Sequence, residues 1–244
     1  MRVCEIYPAP QGEGPTTGVP SLFVRLSGCN LHCGWCDSFF TWNFEGTKFK
    51  NEGDFNFPKV KRGEEMREVG IEDFRREVLD EARASHVKNI VLTGGEPMLQ
   101  QKALVAALWP LKTLGFTFEV ETNGTIVLED ETFALVDRIN CSPKLANSGN
   151  EEILRFRLPA LKRIVSHPGS VFKFVLSGAN CVAEIQKIVQ ESGMPNDRVL
   201  IMPEGVTRDS QIVGFKLAED IALTFGWRVC PRVHILIHGT KRAV

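Results

Sequence analysis

The sequence predicts an α/β fold, a partial and open parallel β/α barrel of about six strands. Two observations carry this reading. Short apolar runs alternate with longer helical patterns along the chain, the mark of βα units rather than of a sandwich. Polar turns bearing glycine or proline follow four successive runs, so they would gather at one end of a parallel sheet. A complete (β/α)₈ barrel needs eight strand-helix steps, and this chain offers fewer, so the barrel is expected to stay open.

In chain order, the first strand is Leu22 to Leu26, an apolar stretch that runs into a cysteine-bearing loop. A helix from Ile71 to Ala84 repeats its apolar residues at helical spacing and leads to a second strand, Asn89 to Thr93. Met98 to Leu114 reads as the next helix, followed by strands at Phe116 to Val120 and Arg138 to Cys141. Glu151 to Val165 is helical, with an interruption expected at Leu158-Pro159 because a proline removes one backbone hydrogen bond. Val171 to Leu176 and Val199 to Met202 are the last two strands, separated by a helix from Val182 to Glu191 and followed by one from Thr207 to Phe225. Trp227 to Ile237 reads as a final extended segment. Phe39 to Gly70 is rich in Phe, Trp, Lys, Glu, Asn and Gly with weak periodicity, and reads as an irregular excursion that covers the adjoining cysteine loop, forms a dimer surface, or lies in solvent.

The 244 residues suit one α/β domain, expected to span residues 1–244. With 29 basic against 30 acidic residues, no charge excess points to a nucleic-acid backbone or an anionic membrane, and a small-molecule substrate is favoured. No apolar run reaches the roughly 18 residues of a membrane helix. Seven cysteines and no signal peptide predict a reduced, cytoplasmic protein rather than a disulfide framework.

Cys29, Cys33 and Cys36 form a C-x₃-C-x₂-C run within Ser27-Gly-Cys-Asn-Leu-His-Cys-Gly-Trp-Cys-Asp37. Three thiolates this close hold three irons of a [4Fe-4S] cube, whereas a filled electron-transfer cluster takes a fourth cysteine. One iron is left open to a ligand. A zinc site completed by His32 is the competing reading, but structural zinc normally pairs two knuckles, and no second knuckle is present. Cys4, Cys141, Cys181 and Cys230 stand singly and read as small hydrophobes. The triplet resembles the signature of radical S-adenosylmethionine (SAM) enzymes, in which the amino and carboxylate groups of SAM chelate the open iron.

Thr93-Gly-Gly-Glu-Pro97, Glu121-Thr-Asn-Gly124 and Ser142-Pro-Lys144 each follow a predicted strand. Gly94 and Gly95 allow close backbone approach to a ligand, and Pro97 suits the first position of a helix. Taken singly, the segment is also an ordinary βα turn, and Glu121 and Lys144 are also ordinary charges on solvated loops. With the cysteines, Thr93 to Pro97 resembles the G-G-E-P motif that contacts the SAM amino group.

Glu5-Ile-Tyr-Pro-Ala-Pro-Gln-Gly-Glu-Gly14, Gly18-Val-Pro-Ser-Leu-Phe-Val-Arg25 and Cys36-Asp-Ser-Phe-Phe-Thr-Trp42 resemble the 7-carboxy-7-deazaguanine synthase family. The resemblance runs on through Thr93 to Pro97, Glu121 to Thr125, Ser142 to Lys144 and His234 to Val244. It implies a radical SAM lyase of the queuosine and archaeosine precursor pathway, converting 6-carboxy-5,6,7,8-tetrahydropterin to 7-carboxy-7-deazaguanine with loss of ammonia and regeneration of SAM. It places Trp35, Cys36, Asp37, Gly95, Ser142, Pro143 and Lys144 around SAM. Gln11, Gly12, Glu13, Arg25, Thr93 and Glu121 fall around the pterin. Arg25 suits a bidentate grip on the substrate carboxylate, and Glu121 suits the N–H groups of the 2-aminopyrimidinone edge. Arg25 equally suits a pairing with a neighbouring carboxylate. Ser38 falls where the family places a Mg²⁺ ligand, and also reads as a turn hydroxyl. A homodimer and a flavodoxin or ferredoxin-type reductant are likewise implied. The rival functions are a glycyl-radical-enzyme activase, which Q-G-E-G and S-P-K argue against, and a non-enzymatic iron-sulfur or zinc module.

Overall fold

The computed structural model describes residues 1–47 and 57–243, so part of the Phe39 to Gly70 excursion lies outside the described residues. Within them a single nine-stranded sheet forms, in the order β3-β1-β2-β4-β5-β6-β7-β8-β9. The strands are β1 (Arg2–Pro10), β2 (Pro20–Leu26), β3 (Arg67–Glu68), β4 (Asn89–Gly94), β5 (Thr117–Thr122), β6 (Arg138–Cys141), β7 (Ser170–Leu176), β8 (Val199–Pro203) and β9 (Arg228–Val229). From β2 to β9 every pairing is parallel. All six expected strands are present in this parallel run.

Helices α1 (Arg62–Glu65), α2 (Ile71–Ala84), α3 (Gln101–Lys112), α4 (Asp130–Leu135), α5 (Glu152–Arg155), α6 (Leu158–Val165), α7 (Val182–Ser192), α8 (Arg208–Phe225) and α9 (Val233–His238) complete the described structure. The expected interruption is real: α5 ends at Arg155, and Pro159 sits in the first turn of α6, where no backbone donor is needed. Pro110 is tolerated inside α3 because the Arg75 guanidinium donates to the Ala106 carbonyl at 2.7 Å, replacing the amide that proline lacks.

Two segments differ from expectation. No element is expected over Arg2–Pro10, yet it is a strand, antiparallel to β2, that carries Pro8 and Pro10. Among the described residues β3 pairs only with Arg2 and Val3, which leaves both prolines beyond that pairing, where a missing donor costs little. The carboxyl-terminal segment is extended only at Arg228–Val229, and Val233–His238 is helical. Pro231 cannot donate to a ladder, and the chain turns instead so that the Val233 amide donates to the Gly12 carbonyl at 2.9 Å.

β7 shows how the sheet divides its side chains. Phe172, Phe174 and Leu176 join the main core with Phe118, Ile139, Ile164 and Ile185. Val171 and Val175 face the other way and form a smaller cluster with Leu200, Met202 and Cys230, against which Trp35 packs. Strand alternation therefore carries Lys173 to this inner face. No helix of the described residues is long and apolar enough to cross a membrane.

Candidate active site

The cysteine loop leaves β2 and is pinned from two sides. The Gly28 amide donates to the Thr41 carbonyl at 2.8 Å. From the segment after β6, Asn150 accepts from the His32 amide at 2.9 Å, and the Asn147 carbonyl accepts from the Trp35 indole at 3.0 Å. Each thiol has an N–H directed at it: the Leu31 amide to Cys29 at 3.5 Å, the Asn150 side chain to Cys33 at 3.4 Å and the Trp42 indole to Cys36 at 3.4 Å. Burial pushes the Cys29 thiol up to about 12 and raises those of Cys33 and Cys36 as well. These thiols keep their protons until a metal displaces them, and the directed N–H groups then stabilise the thiolates.

That donor set fits three irons of a cluster. It does not fit the zinc alternative. That alternative needs His32 as a ligand beside the thiols, and the His32 ring instead packs on Trp42 with centroids 4.8 Å apart.

The loop after β4 lies directly on the cysteine loop. The Gly95 amide donates to the Leu26 carbonyl at 3.1 Å and the Glu96 amide to the Gly28 carbonyl at 2.8 Å. A Cβ on Gly94 would stand 2.0 Å from the Leu26 oxygen, and one on Gly95 2.2 Å from the Gly28 oxygen. The glycines thus serve backbone-to-backbone packing first, and any ligand contact of Gly95 falls to its carbonyl. Glu96, fully buried, accepts from the Met98 amide at 3.0 Å, the Thr122 hydroxyl at 2.8 Å and the Asn123 amide at 2.7 Å. Its carboxylate ties the ends of β4 and β5 together.

Of the residues expected around SAM, Trp35, Ser142 and Lys144 are brought together. The Lys144 ammonium donates to Ser142 at 2.9 Å and sits 5.3 Å from the Trp35 ring centre. Pro143 is buried between them, and Cys36 and Gly95 lie in the loops just described. Asp37 turns away from this group. Its carboxylate accepts from the Ser38 hydroxyl at 2.8 Å and pairs with Arg232.

The residues expected around the pterin occupy the mouth of the barrel. Arg25 and Thr93 are register partners on neighbouring strands. The Arg25 guanidinium donates to Glu5 at 2.6 Å and to the Tyr7 hydroxyl at 2.7 Å, with Ser38 at 3.4 Å, so the pairing with a neighbouring carboxylate is present. The Gln11 amide donates to Glu119 at 2.7 Å and Glu121 at 3.3 Å, while its oxygen accepts from the Gly12 amide at 2.9 Å. A Cβ on Gly12 would meet His234 at 2.4 Å, so this glycine lets the tail pack over the loop.

Sequence reasoning missed Lys173, Arg232, Asn140 and Glu119. Lys173 donates to Glu13 at 2.9 Å and to Glu121 at 2.5 Å, Arg232 donates to Glu13 at 3.0 Å, and Asn140 donates to Glu121 at 2.9 Å and to Glu119. Burial would raise Glu13, but Lys173 and Arg232 hold it well below the usual carboxylate range. Burial also pushes Glu121 up, and there it prevails: Lys173 opposes it, while Glu13 and Glu119 add to it. A lone lysine inside the apolar run Val171-Phe-Lys-Phe-Val-Leu176 was the available signal. Arg232 carried none, because its contacts depend on the turn at Pro231.

One belt of polar contacts therefore crosses the mouth, from Arg25 through Ser38, Asp37, Arg232, Glu13 and Lys173 to Glu121. It passes beside Cys36 and ends at β5.

Residues 23–203 match the model of the Radical SAM superfamily. The chain is 34% identical over 243 residues to the 7-carboxy-7-deazaguanine synthase of Pyrobaculum aerophilum, covering 99% of this chain and 96% of that one. It is 32% identical to the enzyme of the same name from Hyperthermus butylicus, covering 97% and 92%. The crystal structure of QueE from Escherichia coli superposes with a TM-score of 0.70 at 23% identity, covering 96% of this chain and 94% of that one, which shows the shared fold. The chain belongs to the 7-carboxy-7-deazaguanine synthase family of the Radical SAM superfamily.

Proposed function

We propose that this chain converts 6-carboxy-5,6,7,8-tetrahydropterin to 7-carboxy-7-deazaguanine with loss of ammonia, as a single catalytic domain of the 7-deazapurine pathway. The observation that carries this reading is the belt from Arg25 to Glu121, which sets a guanidinium and two carboxylates at one mouth beside the cysteine loop. As a Radical SAM member the chain carries a [4Fe-4S] cluster and uses SAM. When bound, these supply one-electron hydrogen-atom chemistry, and the protein supplies binding and orientation.

Cys29, Cys33 and Cys36 hold three irons. Lys144, fixed by Ser142 and seated over Trp35, offers a cation to the carboxylate of SAM. Glu121 and Glu13 accept the N–H groups of the pterin edge, with Gln11 and Asn140 fixing the Glu121 carboxylate. Arg25 receives the substrate carboxylate, its plane set by Glu5 and Tyr7, with Thr93 beside it. Ser38 supplies one hard oxygen to Mg²⁺, in keeping with that ion's habit of taking few protein ligands and completing its shell with water and substrate. The reductant is of flavodoxin or ferredoxin type, and the enzyme is a cytoplasmic homodimer.

Substitution separates the two pockets. Glu121→Gln and Arg25→Ala should weaken pterin binding by roughly two orders of magnitude, the worth of a lost charged hydrogen bond, while SAM binding stays close to wild type. Equal loss of SAM binding in both variants would show that the pockets are misassigned.

A further inference from the structure

We infer that Lys173 is a positioning residue for the pterin, an internal clamp that keeps Glu13 and Glu121 as a pair of ionised acceptors at fixed separation. This rests on the assignment of those two carboxylates to the substrate. The fold itself makes no demand for a cation here. Val171 and Val175, the neighbours of Lys173 on the same face of β7, are apolar and fill the inner cluster. Lys173 is 1% exposed, and an ammonium so buried is costly unless paired.

The pairing is specific. The ammonium bridges Oε2 of Glu13 at 2.9 Å and Oε2 of Glu121 at 2.5 Å, joining the loop after β1 to the end of β5. Glu13 also faces Arg232 and His234, whereas Glu121 otherwise faces Glu13, Glu119 and two neutral amides, those of Gln11 and Asn140. Cys230 is the remaining titratable group facing Lys173. Among the described residues, Lys173 is the one cation in ion-pair contact with Glu121.

A carboxylate offers about four acceptor directions. Gln11 and Asn140 take two on Oε1 of Glu121 and Lys173 takes one on Oε2, which leaves one directed acceptor for the substrate. Without the ammonium, Glu121 would stand beside two other carboxylates in a buried site and take up a proton. A protonated carboxyl presents a donor where the pterin edge also presents donors.

The test compares substrate KM and kcat against pH in reconstituted wild type, Lys173→Gln, Lys173→Arg and Glu121→Gln, with iron content and SAM binding confirming the fold. Lys173→Gln should raise KM about tenfold at the acidic end of the accessible pH range and recover toward wild type as pH rises and Glu121 loses its proton, with kcat little changed. Lys173→Arg should keep the wild-type profile, and Glu121→Gln should lose binding at every pH. A wild-type KM profile in Lys173→Gln, or an equal pH-independent loss in the Gln and Arg variants, would overturn the clamp. A wild-type KM in Glu121→Gln would instead overturn the pterin assignment beneath it. If Lys173→Gln does not load iron, Lys173→Met and the double variant Lys173→Met/Glu121→Gln decide the matter by thermal melting. The clamp requires the double variant to melt higher, and an equal or lower midpoint would refute it.

Discussion

Glu96→Gln isolates the role of the carboxylate that joins β4 to β5. Glu96 is fully buried and accepts three hydrogen bonds, from the Met98 amide, the Thr122 hydroxyl and the Asn123 amide, at 3.0, 2.8 and 2.7 Å. Glutamine keeps the shape. Its amide oxygen can replace Oε1, which serves Met98 and Thr122, but its NH₂ then faces the Asn123 N–H donor to donor. One orphaned buried donor and weaker hydrogen bonds to a neutral acceptor together cost about 2–3 kcal/mol. In a chain of this size about 1 kcal/mol corresponds to roughly 2–4 °C, so the melting midpoint should fall by about 4–12 °C. Glu96→Ala orphans all three donors and should cost about twice as much, a large share of a typical stability of roughly 5–15 kcal/mol. Circular dichroism of anaerobically prepared protein, by heat and by urea, measures both. A Glu96→Gln midpoint within about 1 °C of wild type would refute the reasoning and return Glu96 to a role toward SAM alone.

Replacing Cys29, Cys33 or Cys36 by Ala should abolish iron loading and SAM cleavage, while Cys4 and Cys181 should tolerate Ala with iron loading intact and Cys230→Ala should load iron but leave the Gly14 amide without its acceptor; iron analysis and SAM turnover check this, and an active Cys33→Ala protein would contradict it. Ser38→Ala should weaken the stimulation of turnover by Mg²⁺ without reducing iron content, so an unchanged Mg²⁺ titration would remove the proposed ligand. Glu13 has its folded pKa held below the ordinary carboxylate value of 4.5, so its ion pairs stabilise fully above that value and lose their contribution as pH falls through the lower folded value. Wild-type stability should therefore decline below about pH 4.5, and Glu13→Gln should flatten that decline in urea titrations run at successive pH values.

The parallel sheet was legible because short apolar runs rich in β-branched and aromatic residues, such as Val171-Phe-Lys-Phe-Val-Leu176, alternate with longer helical patterns. β1 was not, since its two prolines argue against a strand until the neighbouring edge is known to pair only at Arg2 and Val3 among the described residues. The cysteine loop and the strand-end motifs were visible as local spacing. The belt was only half visible: Arg25, Ser38, Asp37, Glu13 and Glu121 belong to local motifs, whereas Lys173 and Arg232 meet Glu13 across 160 and 219 residues of sequence. No local pattern encodes such a pairing. The glycines of the β4 loop show a related limit: sequence marks a place of close approach, and the structure shows that the Leu26 and Gly28 backbone is what approaches.

The most direct measurement is anaerobic incubation of the reconstituted protein with SAM, a low-potential reductant and 6-carboxy-5,6,7,8-tetrahydropterin, following product, ammonia and SAM together. The account predicts 7-carboxy-7-deazaguanine and ammonia in equal amounts, with many turnovers for each SAM lost. SAM cleaved to deoxyadenosine with no deazaguanine formed would contradict it and favour an activase acting on a protein partner.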